Sequence, residues 1–119
     1  MAKKILLVED EPSVLAVAQK RLENFGYEVT AVETAELALA HLQNNLPDLI
    51  LLDLLLPKMQ GDELCKLLKS DDRFKRLPII LFTASSGDLQ KLTKEIGGDD
   101  YIVKPYESKE LLDKIEKYL

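Results

Sequence analysis

Wholly apolar runs alternate with helical apolar patterns along this chain. Residues 5–8 (ILLV) are apolar at every position and lie between Lys4 and Glu9. A run with no polar face predicts a short strand covered on both sides. Pro12 follows where a first helical turn tolerates proline. Leu15, Ala18, Leu22 and Phe25 then recur at helical spacing, and Gly26 marks the expected stop. Residues 27–32 (YEVTAV) are β-rich. Thr34 is placed to cap a helix with Ala35, Ala38, Leu39 and Leu42 on one face. Pro47 and Asp48 break that helix.

Residues 49–52 form a second uniformly apolar strand, ending at Asp53. A loop with Pro57 and Gly61 leads to a helix carrying Leu64, Leu67 and Leu68. Residues 78–82 predict a strand ending at Thr83. Residues 88–96 read as a helix closed by Gly97 and Gly98. Residues 101–103 are the last short strand, ending at Lys104-Pro105. Ser108 or Glu107 opens a final helix with Leu111, Leu112, Ile115 and Leu119.

These are five strand–helix units without a repeat or linker. Strands this apolar, each followed by a helix, imply a parallel sheet covered on both faces. Five strands are too few for an eightfold barrel. The expected fold is α/β: a doubly wound five-stranded parallel sheet, order 2-1-3-4-5, with five helices, the flavodoxin-like arrangement. Residues 1–119 are expected to form one domain.

Composition narrows the function. The chain has 119 residues, 46% apolar and 31% charged, which suits one globular domain. A net charge of −5 argues against direct nucleic-acid binding, which needs a basic footprint. No apolar run is long enough to span a membrane, and the N-terminus lacks a signal-peptide pattern. A cytoplasmic protein is expected. Cys65, the one cysteine, offers no internal disulfide and is expected to pack at the edge of the third helix. His41 is read as a surface or boundary residue of the second helix. The run Lys66, Lys69, Arg73, Lys75 and Arg76 is read as a solvated helix end and loop.

In open sheets of this kind ligands bind outside the carboxyl ends of the strands, where strand order reverses. Strand 1 ends in Glu9-Asp10-Glu11, strand 3 in Asp53, strand 4 in Thr83 and strand 5 in Lys104. Glu11 is read as a helix N-terminal residue favoured by the dipole. The other carboxylates should meet at one edge and repel one another. A hard cation resolves that, and Mg2+ suits a few carboxylates, several waters and phosphate oxygens. Such a site supports phosphoryl transfer, with Asp53 as a nucleophile forming an acyl phosphate. Thr83 could donate to one phosphoryl oxygen and Lys104 could pair with another.

KILLVEDE, PDLILLDLLLPKMQG, PIILFTA and DDYIVKP, in this order and spacing, resemble the receiver domain of bacterial two-component response regulators. The resemblance covers essentially the whole chain. It implies that Asp53 is the phospho-acceptor, that Asp10 binds the metal directly and that Glu9 acts mostly through water. It implies that the Leu55 carbonyl completes the metal shell. Thr83 and Tyr101 become the switch pair, and Lys104 pairs with the phosphoryl group. The Lys104-Pro105 bond is similar to one that is usually cis in the family. The implied partners are a sensor histidine kinase or histidine phosphotransfer protein and an output partner the sequence does not name. No direct contact with nucleic acid and no membrane insertion are expected.

The implied state is a monomer or a phosphorylation-dependent dimer, and residues 88–119 form the output surface. The chain departs from the family pattern in having Glu-Asp for Asp-Asp, in Leu56, and in Gly98, which is expected to loosen its turn. Leu55 and Ser85 stand at positions that influence dephosphorylation in the family.

Rival functions fit less well. A haloacid-dehalogenase-type phosphatase wants a second Asp two residues after the nucleophile, where this chain has Leu55. The chain is therefore expected not to be a turnover enzyme, only to promote its own aspartyl phosphorylation and dephosphorylation. A flavin carrier wants a Ser/Thr/Gly-rich loop after strand 1, where this chain has EDEPS. The remaining alternative is a receiver-like interaction module that is never phosphorylated.

Overall fold

A computed structural model of the chain describes residues 2–54, 61–83, 89–104 and 107–119, with Thr83 described by its backbone alone. The elements alternate as expected: β1 (Lys4–Val8), α1 (Pro12–Asn24), β2 (Glu28–Val32), α2 (Ala35–Leu42), β3 (Leu49–Asp53), α3 (Gly61–Lys69), β4 (Ile79–Thr83), α4 (Leu89–Ile96), β5 (Asp100–Val103) and α5 (Ser108–Tyr118). All strand pairs are parallel, in the order β2-β1-β3-β4-β5.

The apolar runs are continuous because alternate residues serve two cores. Leu6, Val8, Ile50, Leu52 and Leu81 pack with α2, α3 and α4. Ile5, Leu7, Leu51, Ile80, Phe82 and Ile102 pack with Ala18 and Leu22 of α1 and Leu111 and Ile115 of α5. A strand with helices on both sides has no solvent face to which a polar residue could be assigned.

The helix ends follow local chemistry. Thr34 caps α2, its hydroxyl accepting from the Leu37 N–H at 3.0 Å. Gly26, at φ 95°, turns the chain out of α1 through a conformation that costs other residues more. Phe25 is the C-cap of α1 and half-exposed, so its place in the helical pattern does not bring it into the core.

Four expectations need correction. Cys65 is fully buried within the core under α3, not at the helix edge, and its thiol lies 3.5 Å from the Ile96 carbonyl. Burial pushes that thiol up to about 11. Leu67, by contrast, faces outward. Lys69 is no solvated helix end: its ammonium donates to the Leu77 carbonyl at 2.8 Å, to the Lys75 carbonyl at 3.3 Å and to Asp99 at 2.8 Å. Gly98 does not loosen its turn. A Cβ there would lie 3.0 Å from Leu81 Cδ1 and 3.1 Å from Thr93 Cγ2, so glycine permits a close approach of the turn to β4 and α4.

Candidate functional site

Parallel register brings the strand ends together. Val8 pairs with Leu52 across β1 and β3, Asp53 with Phe82 across β3 and β4, and Thr83 with Val103 across β4 and β5. The residues that leave the apolar runs therefore emerge at one edge, Glu9 and Asp10 on one side of Asp53 and Lys104 on the other.

Glu9 follows β1 directly, and its N–H donates to the Val32 carbonyl at 3.1 Å, which fixes its backbone to β2. Its side chain is buried, as is that of Asp53, while Asp10 is exposed. One carboxylate oxygen from each of the three lies within 4.8 Å of the others. Lys104 reaches in from the end of β5. Its ammonium is 2.6 Å from Glu9 Oε1 and 3.3 Å from Asp53 Oδ2. It also sits 4.6 Å from the centroid of the Phe82 ring, which supports the cation from beneath.

Among the described residues the charges do not balance. Three carboxylates face one ammonium, and Glu9 Oε2 is buried with no hydrogen-bond partner among the described residues. Burial, then the neighbouring Asp53 carboxylate, push Glu9 up to about 7 against the opposing pull of Lys104. Lys104 is itself raised. Burial works to lower it, and Glu9 and Asp53 outweigh that. A hard divalent cation fits such a donor set: oxygen ligands only, an exposed member open to water, and an unsatisfied buried oxygen.

The outer frame depends on Gly61. Its N–H donates to the Leu54 carbonyl at 3.0 Å, and a Cβ there would collide with the Asp53 carbonyl and lie 2.7 Å from Leu54 Cα. Only a residue without a side chain lets α3 start so close to Asp53. Neither Gly61 nor Phe82 was singled out for the site from sequence. Gly61 reads as ordinary loop punctuation, and Phe82 as one more apolar strand residue, until the register is known.

The remaining expected residues divide. Glu11 is the N-cap of α1 and exposed, with Ser13 Oγ 3.4 Å from its carboxylate; it stays outside the cluster, as expected. The Thr83 backbone ends β4 beside the site. The Thr83 side chain lies outside the described residues, as do Leu55, Leu56, Ser85 and Pro105, and with them the Lys104-Pro105 bond. Tyr101 is half-buried and packs against the core beneath α2, α3 and α4. His41 is half-buried, on α2.

Residues 5–116 match the family described as the response regulator receiver domain. This chain belongs to that family. It is 39% identical over 120 residues to the alkaline phosphatase synthesis transcriptional regulatory protein PhoP of Bacillus subtilis, covering all of this chain and 49% of that protein. The chain thus spans about half the length of the curated relatives it matches.

Among solved structures it resembles the chemotaxis response regulator CheY4 of Vibrio cholerae, at 28% identity and a TM-score of 0.92, covering 100% of both chains. It also resembles the receiver domain of the sensor histidine kinase PA1611 from Pseudomonas aeruginosa PAO1, solved with magnesium coordinated in its active-site cleft. There the identity is 31% and the TM-score 0.89, covering 99% of this chain and 98% of that one. The receiver domain is a component of two-component phosphorelay signalling, and the family supports that function over a bare interaction module. No helix among the described residues is long and apolar enough to cross a membrane.

Proposed function

We propose that Asp53 accepts a phosphoryl group from the phosphohistidine of a sensor histidine kinase or histidine phosphotransfer protein. The observation that carries this is the meeting of the Glu9, Asp10 and Asp53 carboxylates at the carboxyl edge of the sheet, with the Lys104 ammonium beside Glu9 and Asp53. An Asp53 oxygen attacks phosphorus, the P–N bond breaks, and the imidazole leaves with its electron pair. Lys104 stands near enough to Asp53 to follow the charge onto the phosphoryl oxygens. Thr83, at the end of β4, supplies a hydroxyl for another oxygen.

Asp10 and Asp53 would hold Mg2+ with the Leu55 carbonyl, and Glu9 would reach it through water. The bound ion would neutralise charge shared by the carboxylates and the phosphoryl group. The same groups promote hydrolysis of the acyl phosphate, so the protein acts on itself and does not turn over external substrates. Leu55 leaves no second carboxylate for acid–base work on a free substrate.

Phosphorylation adds nearly two negative charges and three acceptor oxygens at Asp53. Thr83 moves toward them, Tyr101 turns inward, and the surface formed by residues 88–119 presents a different face to an output partner. Residues 1–119 fold as one receiver domain that works in the cytoplasm, as a monomer or a phosphorylation-dependent dimer. Incubation with acetyl phosphate and magnesium tests the assignment. One phosphoryl group per chain is expected on the parent by intact mass, and none on Asp53→Asn or in the presence of a chelator. Equal labelling of Asp53→Asn would overturn it.

A further inference from the structure

β5 is an edge strand, so a side chain from one face of the sheet can reach round it to the other. Tyr101 packs on the α4 side, whereas its neighbour Ile102 belongs to the core beneath α1 and α5. Asp100 shares the Ile102 side and meets α5. Its Oδ1 accepts from the Lys114 ammonium at 2.8 Å and from the Tyr101 N–H at 2.8 Å. The Tyr118 hydroxyl lies 3.2 Å from its Oδ2 and 2.9 Å from the Asp99 carbonyl.

Lys114 therefore starts on α5, is anchored at Asp100, and still brings its ammonium to 5.1 Å from the centroid of the Tyr101 ring. That is within the range of a cation–ring attraction. The side chain straps the edge strand and joins the two faces of the sheet at one residue. Beside it an open cleft of about 350 Å³ is lined by Gln90, Thr93, Lys94, Tyr101, Lys114 and Lys117, so the ring borders unfilled space on the α4 side.

We propose that Lys114, held by Asp100, is the positioning residue that sets the resting orientation of the Tyr101 ring and links its movement to α5. This rests on the receiver reading above, in which Tyr101 is the aromatic that turns. A ring that turns inward leaves the ammonium, and the Asp100–Lys114–Tyr118 cluster then holds α5 to β5 without that contact. The resting state is thus favoured by a group outside the phosphoryl site. Removing the cation while keeping the chain length shifts the ring's balance toward the inward position by roughly fivefold, the factor one such contact is worth.

The test is 19F spectroscopy on the full chain labelled with fluorotyrosine at its four tyrosines, the Tyr101 signal being identified by its loss in Tyr101→Phe. Parent, Lys114→Met and Lys114→Arg are compared with and without beryllofluoride and magnesium. Without beryllofluoride, the Tyr101 signal of Lys114→Met is expected part-way to the position it takes in the loaded parent. Lys114→Arg, which keeps a cation over the ring, is expected at the parental position. An unmoved signal in Lys114→Met, or equal displacement in both variants, overturns the positioning role. If Lys114→Met moves the ring and beryllofluoride moves nothing in the parent, the positioning role stands and the switch reading of Tyr101 fails.

Discussion

Glu9 is where the site's electrostatics are most exposed to test. Its folded-state value of about 7 stands above the ordinary 4.5. A proton therefore binds the folded state more tightly than the unfolded one. The resulting stability is fully present below pH 4.5 and is lost as pH rises through 7, by on the order of 3 kcal/mol at most. Thermal melts of metal-free protein should show a decline across this window that Glu9→Gln flattens. Magnesium should remove the decline and release protons as it binds. A parent melt unchanged between pH 4.5 and 7, once referenced to Glu9→Gln, would contradict the buried, crowded carboxyl described above.

Gly61 belongs to the same scale. A methyl group there meets backbone, which cannot swing aside as a side-chain end can. Gly61→Ala should cost about 2 kcal/mol or more in urea denaturation, the usual penalty for overpacking a closed site. It should also slow acyl-phosphate formation, because the displaced backbone is that of Asp53 and Leu54. A variant with parental stability would show that α3 can shift at little cost.

At the scale of elements, the strands and their order were legible because their apolar runs are uninterrupted and each meets polar residues abruptly. Thr34 and Gly26 were legible because caps and stops are local. What escaped depends on contacts distant in sequence. Lys69 looks like one of several solvated lysines. Its role appears only when Asp99, 30 positions on, and the Leu77 carbonyl come within reach of the same ammonium. Asp99 Oδ2 also accepts from the Ile79 N–H that starts β4.

Lys69 thus ties α3, β4 and the approach to β5 at the edge opposite the phosphoryl site. Lys69→Met should destabilise the fold by about 1–3 kcal/mol by leaving part-buried acceptors unsatisfied, whereas Lys66→Met, at an exposed position, should stay within ~0.5 kcal/mol. Equal effects in chemical denaturation would return Lys69 to the solvated class.

For the whole molecule, one edge of a two-sided sheet carries all the candidate chemistry, because the apolar runs end there together. The convergence of Glu9, Asp10, Asp53 and Lys104 was legible from topology alone. That Lys104 lies nearer Glu9 than Asp53, and that Phe82 supports it, was not: it follows from side-chain reach across three strands.

The central claim is that the acyl phosphate forms on Asp53. It is tested most directly by borohydride reduction of acetyl-phosphate-treated protein followed by peptide sequencing, since reduction converts a phosphoaspartate to homoserine. Homoserine is expected at position 53 and nowhere else, and only when magnesium is present. Homoserine at position 10, or none in a preparation that carries phosphate, would contradict the account.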